Sequence, residues 1–152
     1  MDREFSIKIC KEIEQANHDD NIKLIELLID SGGGDESWKL ITSFVKNSPK
    51  PIHTIVIGRC YSSATLILQS GHKRFASENA NFLIHAGGFG TQGSLDYFNN
   101  IVQNEKNEQI IRNKYRFHRT SLSGEFQKSL TTGENYFGAK EALEYGLIDE
   151  II

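Results

Sequence analysis

"IKLIELLIDSGGGDESWKLITSFVKN", residues 22–47, passes from one structural period to another within a single stretch. "IKLIELLID" (22–30) is a nearly continuous apolar run bounded by a turn signal, which reads as a buried strand. "SGGGD" (31–35) follows, a glycine turn in which positive φ carries no steric penalty. Beyond it, "DESWKLITSFVKN" (35–47) puts Trp38, Ile41 and Val45 at i, i+3 and i+7, one face of a helix. "SPKP" ends that helix, because proline cannot continue it and restricts the residue before it.

The same order recurs downstream. "IHTIVIG" (52–58) is a second β-branched run, and "YSSATLILQSG" (61–71) a short apolar helix closed by glycine. "KRFAS" and "NFLIHA" (81–86) read as further strands, followed by the glycine-rich "GGFGTQG" (87–93). A long charged helix is expected over about 94–119, with Leu95, Phe98, Val102, Ile110, Tyr115 and Phe117 among its charges. A "TTGENYF" turn or short strand, a helix "GAKEALEYG" and a terminal strand "LIDEII" complete the chain, and a first helix is expected over 2–17. Alternating strands and helices imply βαβ units, right-handed crossovers and a mostly parallel sheet. The expectation is one α/β domain over 1–152, with part of the long helix projecting or packed on another subunit.

The chain has 152 residues, of which 38% are hydrophobic and 24% charged, enough to fill one core and keep a polar surface. Its net charge of −3 is spread without a basic stripe, so no nucleic-acid partner is expected. No apolar run approaches the roughly 20 residues that span a bilayer, and the charged first stretch lacks a secretory h-region. Cys10 and Cys60 have no CxxC spacing and read as free thiols of a reducing cytoplasm.

Three features could carry chemistry. Ser62 and Ser63 stand where a strand gives way to a helix, so either could cap the free N–H groups there, or one could be a nucleophile. The same N–H groups and helix dipole would stabilise an oxyanion. The "SGGG" turn is either a tight turn or a place where bare backbone approaches a substrate carbonyl; it is not a phosphate loop. His85, at the end of an apolar strand, is either structural or a general base with a suitable ordinary pKa of about 6.5. His18, His53, His72 and His118 form no HExxH or HxH pattern, so no metal site and no cofactor are expected. Serine, histidine and glycine turn all fall at the carboxyl ends of strands, where open α/β sheets carry their sites.

"LLIDSGGG", "IHTIVIGRCYSSATLIL", "GHKRFASENANFLIHAGGFGTQG" and "YFGAKEALEYGLID" resemble, in order and spacing, the motifs of the proteolytic subunit of the Clp protease, within the larger crotonase superfamily. The resemblance covers about residues 22–152. It implies stacked ββα units with a projecting handle helix, and a serine endopeptidase assembled as a homo-oligomer, with heptameric rings stacked in pairs around the sites. By the same resemblance Ser62 matches the nucleophile, His85 the base, and Ser63 the donor of one oxyanion-hole N–H. Gly34, ahead of Gly33, matches the donor of the other. Glu134 falls at the place of the acid that orients the histidine, where the family has aspartate. Gly87 and Gly88, in the loop beside His85, would align an extended peptide by strand addition.

The chain departs from the family at Gly32, which replaces a proline, at Cys60 and Tyr61 before the nucleophile, and at Ala86 after the base. It begins roughly where the family's first helix begins, without the segment that lines the axial pore and meets the ATPase ring. A Clp ATPase acting in trans is implied by the resemblance and opposed by that short N-terminus. Two other readings stay open: a crotonase-type enzyme acting on an acyl-coenzyme A, and a catalytically impaired homologue serving as a structural subunit.

Overall fold

The apolar run after Ile22 forms β1 (Ile25–Ser31), which pairs in parallel with β2 (Ile52–Tyr61) from Ile25↔Ile52 to Ile29↔Val56. The computed structural model of the chain describes residues 2–88 and 92–152. On the other edge of β2, two short strands share its length. β3 (Lys73–Ala76) runs parallel to its first half, and β4 (Asn81–His85) parallel to its end at Arg59, Cys60 and Tyr61. β6 (Glu150–Ile151) adds to β3 in parallel, while β5 (Glu134–Gly138) runs antiparallel to β4. The result is a six-stranded sheet, mostly parallel as expected.

Helices make the crossovers. α2 (Trp38–Asn47) joins β1 to β2, and α3 (Ala64–Leu68) joins β2 to β3. α1 (Arg3–His18) precedes the sheet; α4 (Leu95–Phe117) and α5 (Gly124–Leu130) lie between β4 and β5, and α6 (Ala139–Glu144) between β5 and β6. α2 buries Trp38, Ile41, Thr42 and Val45, the i, i+3, i+4, i+7 stripe that its sequence shows. It stops at Ser48, ahead of Pro49. β2 fully buries the alternating Ile52, Thr54 and Val56 on one face, while on the other Ile55 is buried and Ile57 exposed. Phe82 on β4 stacks on Phe137 on β5 at 5.5 Å, fixing the register of the antiparallel pair.

One element differs from expectation. α3 is shorter than the 61–71 helix, because β2 continues through Tyr61 and the helix ends at Leu68. α4 projects in part, as expected. Its first turns, with Leu95, Tyr97 and Phe98, are exposed, but its second half is tied to the body. Lys39 Nζ lies 2.7 Å from Glu108 Oε2, Arg112 Nη1 lies 3.2 Å from Glu36 Oε1, and Arg116 and Phe117 are buried. Among the described residues no helix is long and apolar enough to cross a membrane.

Candidate active site

β2 delivers the chain to Ser62 in a conformation that ordinary residues avoid. Its φ of +54° makes it the one non-glycine residue with positive φ among those described. Such strain persists only where the surroundings over-determine it. Here the Ser62 N–H donates to Leu83 O at 2.9 Å, and the Ser62 carbonyl accepts from Thr65 N at 3.2 Å and Thr65 Oγ1 at 2.6 Å. The backbone is held on both sides, and the side chain is turned out of the strand line at the carboxyl end of the sheet.

There it meets His85. The parallel register Tyr61↔Leu83 carries the last residue of β4 alongside the elbow, and Ser62 Oγ lies 2.8 Å from His85 Nε2. With Nε2 unprotonated, the serine hydroxyl donates and the imidazole accepts, the alignment a general base needs. Of the two readings of these serines, capping does not hold. Ser63 is the N-cap of α3 but makes no side-chain capping bond; its hydroxyl donates instead to Gly34 O at 3.3 Å.

The glycine turn packs against the same elbow. Gly33 has φ +89°, and a Cβ there would fall 2.7 Å from Tyr61 O, 2.8 Å from Ser62 Cβ and 3.1 Å from Ser63 N. Only a bare backbone fits at Gly33, so that glycine is required by close approach as well as by the turn, whereas a Cβ at Gly32 would meet open space. Ser31 Oγ accepts from Gly33 N at 3.1 Å. Gly34, Ser62, Ser63, His85, Gly87 and Gly88 all line one cleft of about 340 Å³, closed on its far side by α4. Residues 89–91 of "GGFGTQG", the loop expected to align a peptide, lie outside the described residues.

Glu134 opens β5 as the direct partner of His85 in the antiparallel ladder. Ala86 N donates to Gly133 O at 3.1 Å, which makes the adjacent His85/Glu134 pair the non-hydrogen-bonded kind. In such pairs the Cα atoms stand about 4.5 Å apart, with side chains on the same face. The carboxylate itself is exposed and has no hydrogen-bond or ion-pair partner among the described residues.

Two residues near Ser62 have no local sequence signal. Thr65 is buried and grips the Ser62 carbonyl, and Arg116 Nε donates to Thr65 Oγ1 at 2.9 Å. Arg116 sits in a run of charges that reads as a solvated helix face, yet it is buried in the cleft lining. Burial, with the like charge of Arg112, holds its guanidinium down at about 10. Burial also raises the Cys60 thiol well above its ordinary value. Among the described residues, no group of three or more His, Cys, Asp or Glu could hold a metal ion.

The sequence model described as "Clp protease" matches residues 1–152. The ATP-dependent Clp protease proteolytic subunit of Lactococcus lactis subsp. lactis (strain IL1403) is 35% identical over 147 residues, covering 88% of this chain and 69% of that protein.

Proposed function

The chain belongs to the Clp protease family and is a serine-type endopeptidase, and we propose that Ser62, His85 and Glu134 are its catalytic triad. The observation that carries this reading is the 2.8 Å contact between Ser62 Oγ and His85 Nε2 at a strained strand-to-helix elbow. Ser62 Oγ attacks the carbonyl carbon of a peptide bond while His85 Nε2 takes its proton. The backbone N–H groups of Gly34 and Ser63 receive the negative charge that develops on the carbonyl oxygen. His85 then gives the proton to the departing amine. A water, deprotonated by His85, hydrolyses the acyl-enzyme and frees Ser62.

Glu134 accepts from His85 Nδ1–H in this scheme, which fixes the tautomer that leaves Nε2 basic. The cross-strand pairing supports that role, since it sets the exposed Glu134 side chain directly opposite His85 on the same face of the ladder. The backbone at Gly87 and Gly88 holds the substrate as an added strand. The substrates are peptides or unfolded proteins. The chain acts as one domain over 1–152 in a self-compartmentalised homo-oligomer of heptameric rings, in the cytoplasm, with a Clp ATPase in trans as the less supported partner. Hydrolysis of fluorogenic peptides by the wild-type protein, lost in Ser62→Ala, tests the assignment.

One observation favours a second reading. The Glu134 carboxylate makes no hydrogen bond with His85, as a catalytically impaired structural subunit would allow. Peptide hydrolysis at a rate no greater than that of Ser62→Ala would select it.

A further inference from the structure

Arg116 is 5% exposed and belongs to the lining of the cleft that holds Ser62 and His85. A buried guanidinium normally has a carboxylate beside it, since an unpaired buried charge is costly. Arg116 instead donates to two neutral oxygens, Nε to Thr65 Oγ1 and Nη1 to Asn113 Oδ1, each at 2.9 Å. Among the described residues no carboxylate pairs with it. The acids of the same cleft are engaged elsewhere: Glu36 and Glu105 both bind Arg112, and Asp35 accepts from Ser37 N.

A second donor in that lining is also unmatched. Trp38 is 4% exposed, and its indole Nε1 is buried without a hydrogen-bond partner. An arginine without a counter-ion and a tryptophan whose buried indole N–H has no acceptor therefore belong to the lining of one cavity, and what the cavity lacks is an anionic acceptor. Thr65 sets its position relative to the chemistry. Its Oγ1 accepts from Arg116 and donates to the Ser62 carbonyl, so two hydrogen bonds separate the guanidinium from the nucleophile's own backbone.

We propose that Arg116, with Trp38, forms a subsite for a substrate carboxylate beside Ser62, so that the enzyme prefers peptides with Asp or Glu at the residue whose carbonyl is attacked. This rests on the peptidase reading above. A carboxylate entering the cleft supplies the counter-ion that the fold omits, and the planar guanidinium can grip both of its oxygens. The same chemistry is offered by the free carboxyl end of a chain, so the two sources must be separated by experiment.

The test is kcat/KM of the full-length protein on internally quenched peptides that differ only at that residue, carrying Glu, Gln or Leu. A further pair carries Leu there and ends just beyond the scissile bond in a free carboxylate or an amide. Leaving a charged hydrogen-bond donor unmatched predicts a preference of roughly 10²-fold for Glu over Gln and Leu. Preference in the paired peptides for the free carboxylate, without preference for Glu, assigns the subsite to chain ends. In Arg116→Met the preference should collapse toward one. Arg116→Lys should retain only part of it, because an ammonium cannot grip both oxygens. A merely structural Arg116 would slow every peptide in equal proportion. Wild-type protein that a serine-directed fluorophosphonate labels at Ser62, yet that cleaves Leu and amide peptides as fast as the carboxylates, overturns the subsite alone. Absence of both labelling and cleavage would instead remove the peptidase reading, and the subsite with it.

Discussion

His85 and Glu134 face each other across the β4–β5 ladder, and no hydrogen bond joins them. The backbone has brought the Glu134 carboxylate opposite the His85 imidazole, while the carboxylate stays exposed to solvent. If Glu134 is the orienting acid, Glu134→Gln should lower kcat roughly 10²–10⁴-fold with KM little changed, as loss of the acid does in such triads. A change within twofold, measured on fluorogenic peptides, would remove Glu134 from the triad.

Gly33 carries the closest backbone approach at the site. Gly33→Ala must strain a φ of +89° and drive a Cβ against Tyr61 O and Ser62 Cβ. The variant should lose about 1–3 kcal/mol, visible as a lowered Tm. Displacement of the Ser62 hydroxyl by about 1 Å should cost another 10²-fold in kcat/KM. An alanine variant with wild-type Tm and activity would mean that the glycine turn does not touch the elbow as described.

Arg74 and Asp149 tie β3 to the chain's last turn. The guanidinium, 3% exposed, binds both Asp149 oxygens, with Gln69 Oε1 and Gly146 O completing its shell. Burial alone would push the Asp149 carboxyl up. The side-chain and backbone bonds from Arg74, with the charges of Arg74 and Arg119, outweigh it and leave it below its ordinary value. A carboxyl lowered by folding contributes stability that is complete above its unfolded pKa of about 3.9 and is lost as pH falls below it. Asp149→Ala should cost about 2–3 kcal/mol at neutral pH, because the buried guanidinium loses its counter-ion. Urea midpoints at pH 7 and pH 3 should also show a smaller acid loss than in wild type. An equal acid loss in both proteins would locate that sensitivity elsewhere.

Most of the fold is legible in the residues. Periodicity separates β1 from α2, and the stop at Pro49 marks a real end, whereas α3 ends at Leu68, three residues ahead of Gly71. What periodicity cannot show is where a strand hands over to a helix when both are apolar. β2 therefore runs three residues past "IHTIVIG", and α3 shrinks. The site divides in the same way. Ser62, His85 and the glycine turn announce themselves because the backbone there needs small residues at strand ends. Thr65 and Arg116 do not, because their roles come from a contact between α3 and α4 that is distant in sequence, and a buried arginine looks like any other charge on a long helix. The antiparallel sense of β5 is equally silent in "ENYFG", although it is what sets Glu134 opposite His85.

The first turns of α4 leave Leu95 74% exposed, with Tyr97 and Phe98 beside it. Apolar side chains clustered at a helix start fit a contact between copies of the chain. Light scattering should give a mass several times the 17.2 kDa of one chain. Leu95→Asp combined with Phe98→Asp should reduce that mass and the activity together. A wild-type monomer would contradict the assembly.

The central claim is that Ser62 is a nucleophile activated by His85. Reaction with a fluorophosphonate probe, followed by mass spectrometry of the labelled peptide, tests it without knowledge of the substrate. One adduct at Ser62 is expected, absent in Ser62→Ala and slowed by at least 10²-fold in His85→Ala. A folded oligomer that takes no label, or takes it at another serine, would contradict the account.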